Sequence, residues 1–250
     1  SAERAMDDLR AVASQPRSLG TPAHEATIET IQARLTGMGV ESEVVEGVAA
    51  RTDFNQVFAG RLRNVIALVP GTDSTGAVAL FSHFDSVPTS LNANDGGLGV
   101  ATVLEAVRAV QAGPPLANDL VLWFGYADET TAMDAPLLQA HRWFDSVRVG
   151  FAFEATGVNG PSVLTFAGQG NPDVAPPDLA IGENEGLSLS NQQLSPDNGR
   201  WLREALDAVP HPVVALPLND VAIGASPDLG MSMWGTDVAG ISFSQIGDSS

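Results

Sequence analysis

The chain contains no cysteine and no lysine, and it has a single tyrosine, so its 12 basic side chains are all arginine. Without cysteine there are no thiol nucleophiles, disulfides or thiolate zinc ligands. Without lysine, neither Schiff-base chemistry nor a phosphate-binding P-loop is available. Basic charge is scarce altogether, because 30 acidic residues leave a formal net charge of −18. Such a surface repels phosphate backbones and anionic lipid over a Debye length of about 8 to 10 Å, which excludes nucleic acid as an expected partner. No apolar run reaches the roughly 18 residues of a membrane span, and Ser1-Ala2-Glu3-Arg4 has no signal-peptide pattern. Any transition-metal site must therefore be built from four histidines and the carboxylates.

What is present suits one large α/β domain: 250 residues, 44% of them hydrophobic, suffice for a sheet covered on both faces. Apolar periodicity predicts helices over residues 3–14 and 22–38, the latter from Ile28, Ile31, Leu35 and Met38. A strand is expected over Val40–Val45, then a looser segment from Glu46 to Arg63, then buried strands over Asn64–Val69, Val78–Ser82, Asp119–Gly125 and Val149–Phe153. Val100, Val103, Leu104, Val107 and Val110 form the stripe of a helix ending near Ala112, and a further helix is expected over 133–145. Residues 168–199 read as a long irregular excursion, followed by a helix over 198–208 and short strands around Pro212–Leu216 and Gly240–Ile246. Strands alternating with helices imply three α/β/α layers around a central mixed, mostly parallel sheet, a single domain over 1–250.

In such sheets functional groups gather beyond the carboxyl ends of the strands. His83 and Asp85 end one strand, Asp128 and Glu129 follow a second, Glu154 follows a third, and Asp95 precedes the Val100 helix. The spacing of two puts His83 and Asp85 on one side, where the imidazole can bind a metal while the carboxylate orients it. His83, Asp95, Glu129 and Glu154 would then supply two divalent metals, one carboxylate bridging. Zinc suits this mixture of imidazole and carboxylate, and manganese or cobalt remain open by residue type. Asp95 could alternatively cap the following helix. His24 is expected on a helix surface, His141 near a helix end and His211 in a turn, while Trp123, Phe124, Phe151 and Phe153 belong to the core. The glycines at 96–99 let the backbone approach the metal carboxylate.

Four ordered words complete the pattern: Ser82-His83-Phe84-Asp85-Ser86-Val87-Pro88, Asn94-Asp95-Gly96-Gly97-Leu98-Gly99-Val100-Ala101, Pro114-Pro115-Leu116-Ala117-Asn118-Asp119, and Phe153-Glu154-Ala155-Thr156-Gly157-Val158-Asn159-Gly160-Pro161. With these words, from Pro16-Arg17-Ser18-Leu19-Gly20-Thr21 onward, the chain resembles the co-catalytic zinc aminopeptidases of metallopeptidase family twenty-eight, most closely the vacuolar membrane protease and endoplasmic-reticulum metallopeptidase branch. The resemblance implies His83 and Glu154 on one zinc, Asp95 bridging, Glu129 on the other zinc, and Asp85 orienting His83. It places Asp128 where the family has a glutamate general base, one methylene longer. The family's last ligand is a histidine expected just beyond Ser250, so the sequence predicts a Glu129-side site that is weak or empty, in a domain cut before its last ligand segment.

The resemblance further implies hydrolysis of N-terminal peptide bonds of peptide substrates by a metal-activated water, in an extracytoplasmic domain whose parent protein is membrane-anchored. Two alternatives stand beside it. One is a non-catalytic pseudo-peptidase binding domain, which the aspartate at 128 favours. The other is carboxypeptidase or glutaminyl cyclase chemistry on the same scaffold.

Overall fold

The structure, a computed structural model, describes residues 1–53, 56–125, 129, 133–153, 162–168 and 239–245. Helix α1 (Ala2–Val12) is followed by α2 (Pro22–Gly37), whose start is set by Pro22 in the first turn and by the Thr21 hydroxyl, which accepts the His24 N–H at 3.3 Å. The strands are β1 (Glu41–Asp53), β2 (Gln56–Val69), β3 (Ala77–His83), β4 (Asp119–Gly125), β5 (Val147–Phe153), β6 (Ser162–Gly168) and β7 (Ala239–Gln245). Helix α3 (Leu98–Gln111) joins β3 to β4, and α4 (Ala135–Gln139) lies between β4 and β5.

Among the described residues these strands form one sheet in the order β1-β2-β4-β3-β5-β7-β6. The four central strands, β4, β3, β5 and β7, run parallel, whereas β1, β2 and β6 join antiparallel. One face buries Ile28, Ile31 and Leu35 of α2 and Val100, Val103, Leu104 and Val107 of α3 against Val65, Leu80, Leu122 and Phe124. The opposite face buries Ile66, Ala79, Phe81, Val121 and Trp123 under Leu138 and Phe144. The expected three layers and mixed sheet are therefore present. Trp123 and Phe124 are buried as expected, whereas Phe151 and Phe153 are half-buried against the α2–α3 side.

Three expectations need correction. The segment from Glu46 to Arg63 is not loose: β1 and β2 pair in register from Glu41↔Leu68 to Asp53↔Gln56. Its hydrophobic alternation is weak because Gly47, Ala49, Ala50, Ala59 and Gly60 dilute it, while Glu46, Val48, Ala50, Val57, Ala59 and Arg61 face solvent. The backbone ladder, helped by Ala49 and Phe58 packing on the core, makes the ribbon. The helix expected over 133–145 is only α4 and a 3-10 turn over Phe144–Ser146. Here the His141 ring Nδ1 accepts the Trp143 N–H at 3.3 Å, taking a donor that a continuing helix would use. His24 is not on a surface but buried, 1% exposed, with its ring 4.8 Å from that of Phe84. Strand β6 has no counterpart in the sequence reading. The irregular excursion apart from its first residue, the helix at 198–208 and the strands around Pro212–Leu216, with His211, lie outside the described residues.

Candidate metal centre

Strands β3 and β4 end flush. His83, the last residue of β3, pairs with Gly125, the last of β4, and the Phe84 N–H donates to the Gly125 carbonyl at 3.1 Å. The chain then turns through Asp85 and Ser86 and returns to the head of α3 through Asn92, which has φ 39°, and a π-helical turn over Ala93–Gly97. Within that turn Asp95 is extended and Gly96 has φ 76° and ψ −50°.

This path brings three expected residues into direct contact. The His83 Nδ1 lies 3.0 Å from Asp85 Oδ1, and its Nε2 lies 3.2 Å from Asp95 Oδ1. His83 and Asp85 are buried, 5% and 1% exposed, while the Asp95 side chain is 46% exposed and opens the group to solvent. A carboxylate on each ring nitrogen suits an imidazolium that donates to both, and a divalent cation on Nε2 would substitute for one of those protons. Two ligands of one tetrahedral zinc, each bound near 2.1 Å, stand about 3.4 Å apart, so the His83 and Asp95 atoms fit a shared metal. Among the described residues the Asp95 carboxylate meets the His83 ring and not the first turn of α3, whose N-cap is Gly97.

Asp85 does more than orient the imidazole. Its Oδ2 accepts the Glu129 N–H at 3.3 Å, so one carboxylate ties the end of β3 to the segment after β4. The Glu129 carboxylate in turn accepts from Asn92 Nδ2. The His83 hydrogen bond holds the Asp95 carboxyl below its usual range, against the opposing effect of burial. Glu129 is pushed up, first by burial and then by the Asp95 charge. Asp128 and Glu154 lie outside the described residues, although Glu154 directly follows β5. Among the described residues no group of three or more metal-ligating side chains converges.

Gly96 makes the contact possible. A Cβ there would lie 2.7 Å from His83 Cε1, 2.9 Å from Nδ1 and 3.0 Å from Nε2, so the glycine hydrogens face the flat of the ring. Gly96 thus lets the backbone approach the histidine ring, and not the carboxylate that the sequence suggests. Gly99 serves the same end farther along: a Cβ there would meet Ser82 Oγ and the Phe153 carbonyl at 2.3 Å, so its absence lets the head of α3 sit on the ends of β3 and β5.

The pattern of Peptidase family M28 matches residues 64–196, more than half of the chain. The chain belongs to that family. A vacuolar membrane protease of Candida albicans (strain WO-1) is 28% identical over 158 residues, 63% of this chain and 19% of the relative. One of Schizosaccharomyces japonicus is 28% identical over 173 residues, 64% of this chain and 20% of the relative. The chain thus spans about a fifth of the length of the curated relatives it matches. Among solved structures, the LapA aminopeptidase of Legionella pneumophila superposes with a TM-score of 0.69 at 15% identity, over 99% of this chain and 62% of that one. At such identity the likeness establishes the fold. No helix among the described residues is long and apolar enough to cross a membrane.

Sequence reasoning missed two residues beside His83, Asp85 and Asp95: Asn92, and Arg17, whose guanidinium donates to the Phe84, Leu91 and Asn92 carbonyls. The Asn92 side chain donates to Glu129, and a non-glycine residue with positive φ has no signature beyond Asn being among the types that tolerate it. Arg17 lies in the Pro16–Thr21 word, where nothing in the sequence marks an arginine as buried.

Asp85→Asn tests the orienting contacts. The amide cannot accept from both His83 Nδ1 and the Glu129 N–H in the present geometry. Zinc affinity should fall on the order of 10-fold to 100-fold. Competition with a chromophoric chelator measures it, and unchanged affinity would show that Asp85 does not orient the histidine.

Proposed function

We propose that the chain is a zinc-dependent exopeptidase domain that hydrolyses the N-terminal peptide bond of peptides. The observation that carries this reading is the His83 imidazole gripped between Asp85 and Asp95 at the flush carboxyl ends of β3 and β4. His83, Asp95, Glu129 and Glu154 are the residues that would hold metal. Divalent ions bound there would supply a water acidic enough to ionise near neutral pH and a Lewis acid for the scissile carbonyl.

The chain's own groups divide the remaining work. Asp85 fixes the imidazole tautomer by accepting at Nδ1, leaving Nε2 directed at the metal position. Asp128, at the position of the general base, takes the proton of the attacking water, and its shorter side chain sets how near that water must lie. The strongly acidic chain, net −18, suits a substrate that presents a free amine. The names of the fungal relatives, vacuolar membrane proteases, support peptide substrates and a membrane-associated parent; an extracytoplasmic, membrane-anchored setting is part of the proposal.

A second reading is favoured by one comparison. A glutaminyl cyclase of Tannerella forsythia superposes over 100% of this chain and 86% of its own length, with a TM-score of 0.65 at 18% identity. Cyclisation of N-terminal glutamine also brings a free amine to a polarised carbonyl, but there the α-amine replaces water as the nucleophile, attacks the side-chain carboxamide carbon and expels ammonia.

One panel separates the two. Metal-stripped protein, reloaded with zinc, is given peptides with a free N-terminus, an acetylated N-terminus, an amidated C-terminus and an N-terminal glutamine. Zinc-dependent release of the first residue from the free and amidated peptides, with none from the acetylated one, is expected. Pyroglutamate formation without release would replace the peptidase reading by the cyclase. Turnover of none of them would leave a binding domain.

A further inference from the structure

The guanidinium of Arg17 is 0% exposed, and each hydrogen bond it makes among the described residues ends on a main-chain carbonyl. Nε donates to Phe84 O, Nη1 to Leu91 O, and Nη2 to Asn92 O at 3.1 Å. No described carboxylate pairs with it directly. A charge buried that deeply is costly unless something answers it. The answer comes through space: burial lowers its pKa, but the charges of Asp85, Asp95 and Glu129 act in the opposite sense.

The three carbonyls are not scattered. Phe84 stands between His83 and Asp85, while Leu91 and Asn92 begin the turn that delivers Asp95. The same Asn92 gives its carbonyl to Arg17 and its amide to the Glu129 carboxylate. Around the fork, the Arg17 N–H donates to Ser86 Oγ at 2.8 Å, and the Ser18 hydroxyl donates to Ser86 O at 2.7 Å. Segment 84–92 is therefore pinned at both ends by one planar group, with Ser86 held between them. Lysine offers a point charge with three donors on a flexible stem and cannot reproduce that fork.

We propose that Arg17 is a positioning residue of the metal centre, which holds His83 and Asp85 at one end of segment 84–92 and Asn92 and Asp95 at the other at metal-binding separation. It also supplies the counter-charge that allows Asp85, Asp95 and Glu129 to gather before a cation binds. This inference rests on the reading of the site as a metal centre. Arg17 touches neither metal nor substrate; it acts through the main chain.

The test uses the full chain with Arg17→Lys and Arg17→Met. Zinc affinity is measured by chelator competition, site geometry by the visible absorption of added cobalt(II), and stability by thermal melting. Zinc affinity at least tenfold weaker in folded Arg17→Lys, with an altered cobalt spectrum, is expected, and still weaker binding in Arg17→Met. A residue that merely stabilises the fold would lower the melting temperature while leaving the affinity and spectrum of the folded fraction unchanged, and that result overturns the inference. Should neither variant fold, the wild-type Arg17 Nε–H resonance decides: it must shift on titration with zinc, and an unmoved resonance overturns the proposal. A wild-type chain that takes up no zinc overturns the reading of the centre and this inference with it. Zinc binding by wild type that is matched by folded Arg17→Lys overturns this inference alone.

Discussion

Gly96→Ala should reduce zinc affinity at least 100-fold while leaving the sheet and helices in place. Two costs coincide at this position. The backbone, at φ 76° and ψ −50°, lies near the strained γ-turn region that an L side chain rarely enters, a cost of about 1 to 3 kcal/mol. The added methyl would press on three atoms of the His83 ring from 2.7 to 3.0 Å, and overpacking a close contact costs about as much again. The ring has no easy retreat, since both of its nitrogens are engaged and the residue is buried. Relief must come either from moving the imidazole off Asp95 or from reshaping the turn that carries Asp95, and both separate the two atoms proposed to bind metal. Chelator competition should show the affinity loss alongside far-ultraviolet circular dichroism like that of wild type. An alanine variant that binds zinc normally would mean the glycine is not what sets the approach of ring to carboxylate.

Acid should destabilise the protein through His24. Burial is the main cause that lowers the pKa of this imidazole from 6.5 to about 4; the Arg63 and Arg17 charges act in the same sense and Asp85 opposes them. Because the folded-state value lies below the unfolded one, the unfolded chain binds the extra proton first. The contribution is fully present above pH 6.5 and is lost progressively as pH falls toward 4. At about 1.4 kcal/mol per pH unit the loss over that window is about 3 kcal/mol, a large share of the 5 to 15 kcal/mol typical of a domain. Carboxylates titrate over part of the same range, so the informative quantity is the difference between wild type and His24→Leu. Leucine removes the titration at a cost that does not depend on pH. Melting temperatures measured from pH 7 to pH 4 should converge, with the variant falling less steeply. Parallel curves would remove His24 as the acid-sensitive group.

The parallel core of the fold was legible because its strands are buried on both faces and read as unbroken apolar runs: Val78–Ser82 lies within β3, and Asp119–Gly125 is β4. The β1–β2 ribbon was half missed because a strand lying partly over solvent can be stocked with glycine and alanine. Its pairing is then carried by backbone groups, which leave no trace in a hydrophobic pattern. The site shows the same division. His83, Asp85 and Asp95 were found because their chemistry resides in the side-chain type and its place after a strand. The contact between Asp85 and the Glu129 N–H, the fork of Arg17 and the hydrogen bond from Asn92 all involve main-chain groups or a rare φ, and such partners become visible only when the chain is folded. His24 was misplaced for a related reason: its helix packs the histidine inward beside Phe84, and a single polar residue gives no warning of that.

The place of β7 in the sheet has a consequence for how the protein is made. Strand β6 follows β5 in the chain but does not pair with it; β7, which begins more than 70 residues after β6 ends, lies between them. A nascent chain that has emerged through β5 can assemble the ribbon, β4, β3 and β5. The free edge of β5 must then wait for β7, while β6 is already available as a nearer and mistaken neighbour. That final insertion completes the sheet on the side of β5 away from β3. Ribosome-bound chains arrested before residue 239 should therefore hold the first half of the site beside an unprotected strand edge, a state in which a chaperone has most to do.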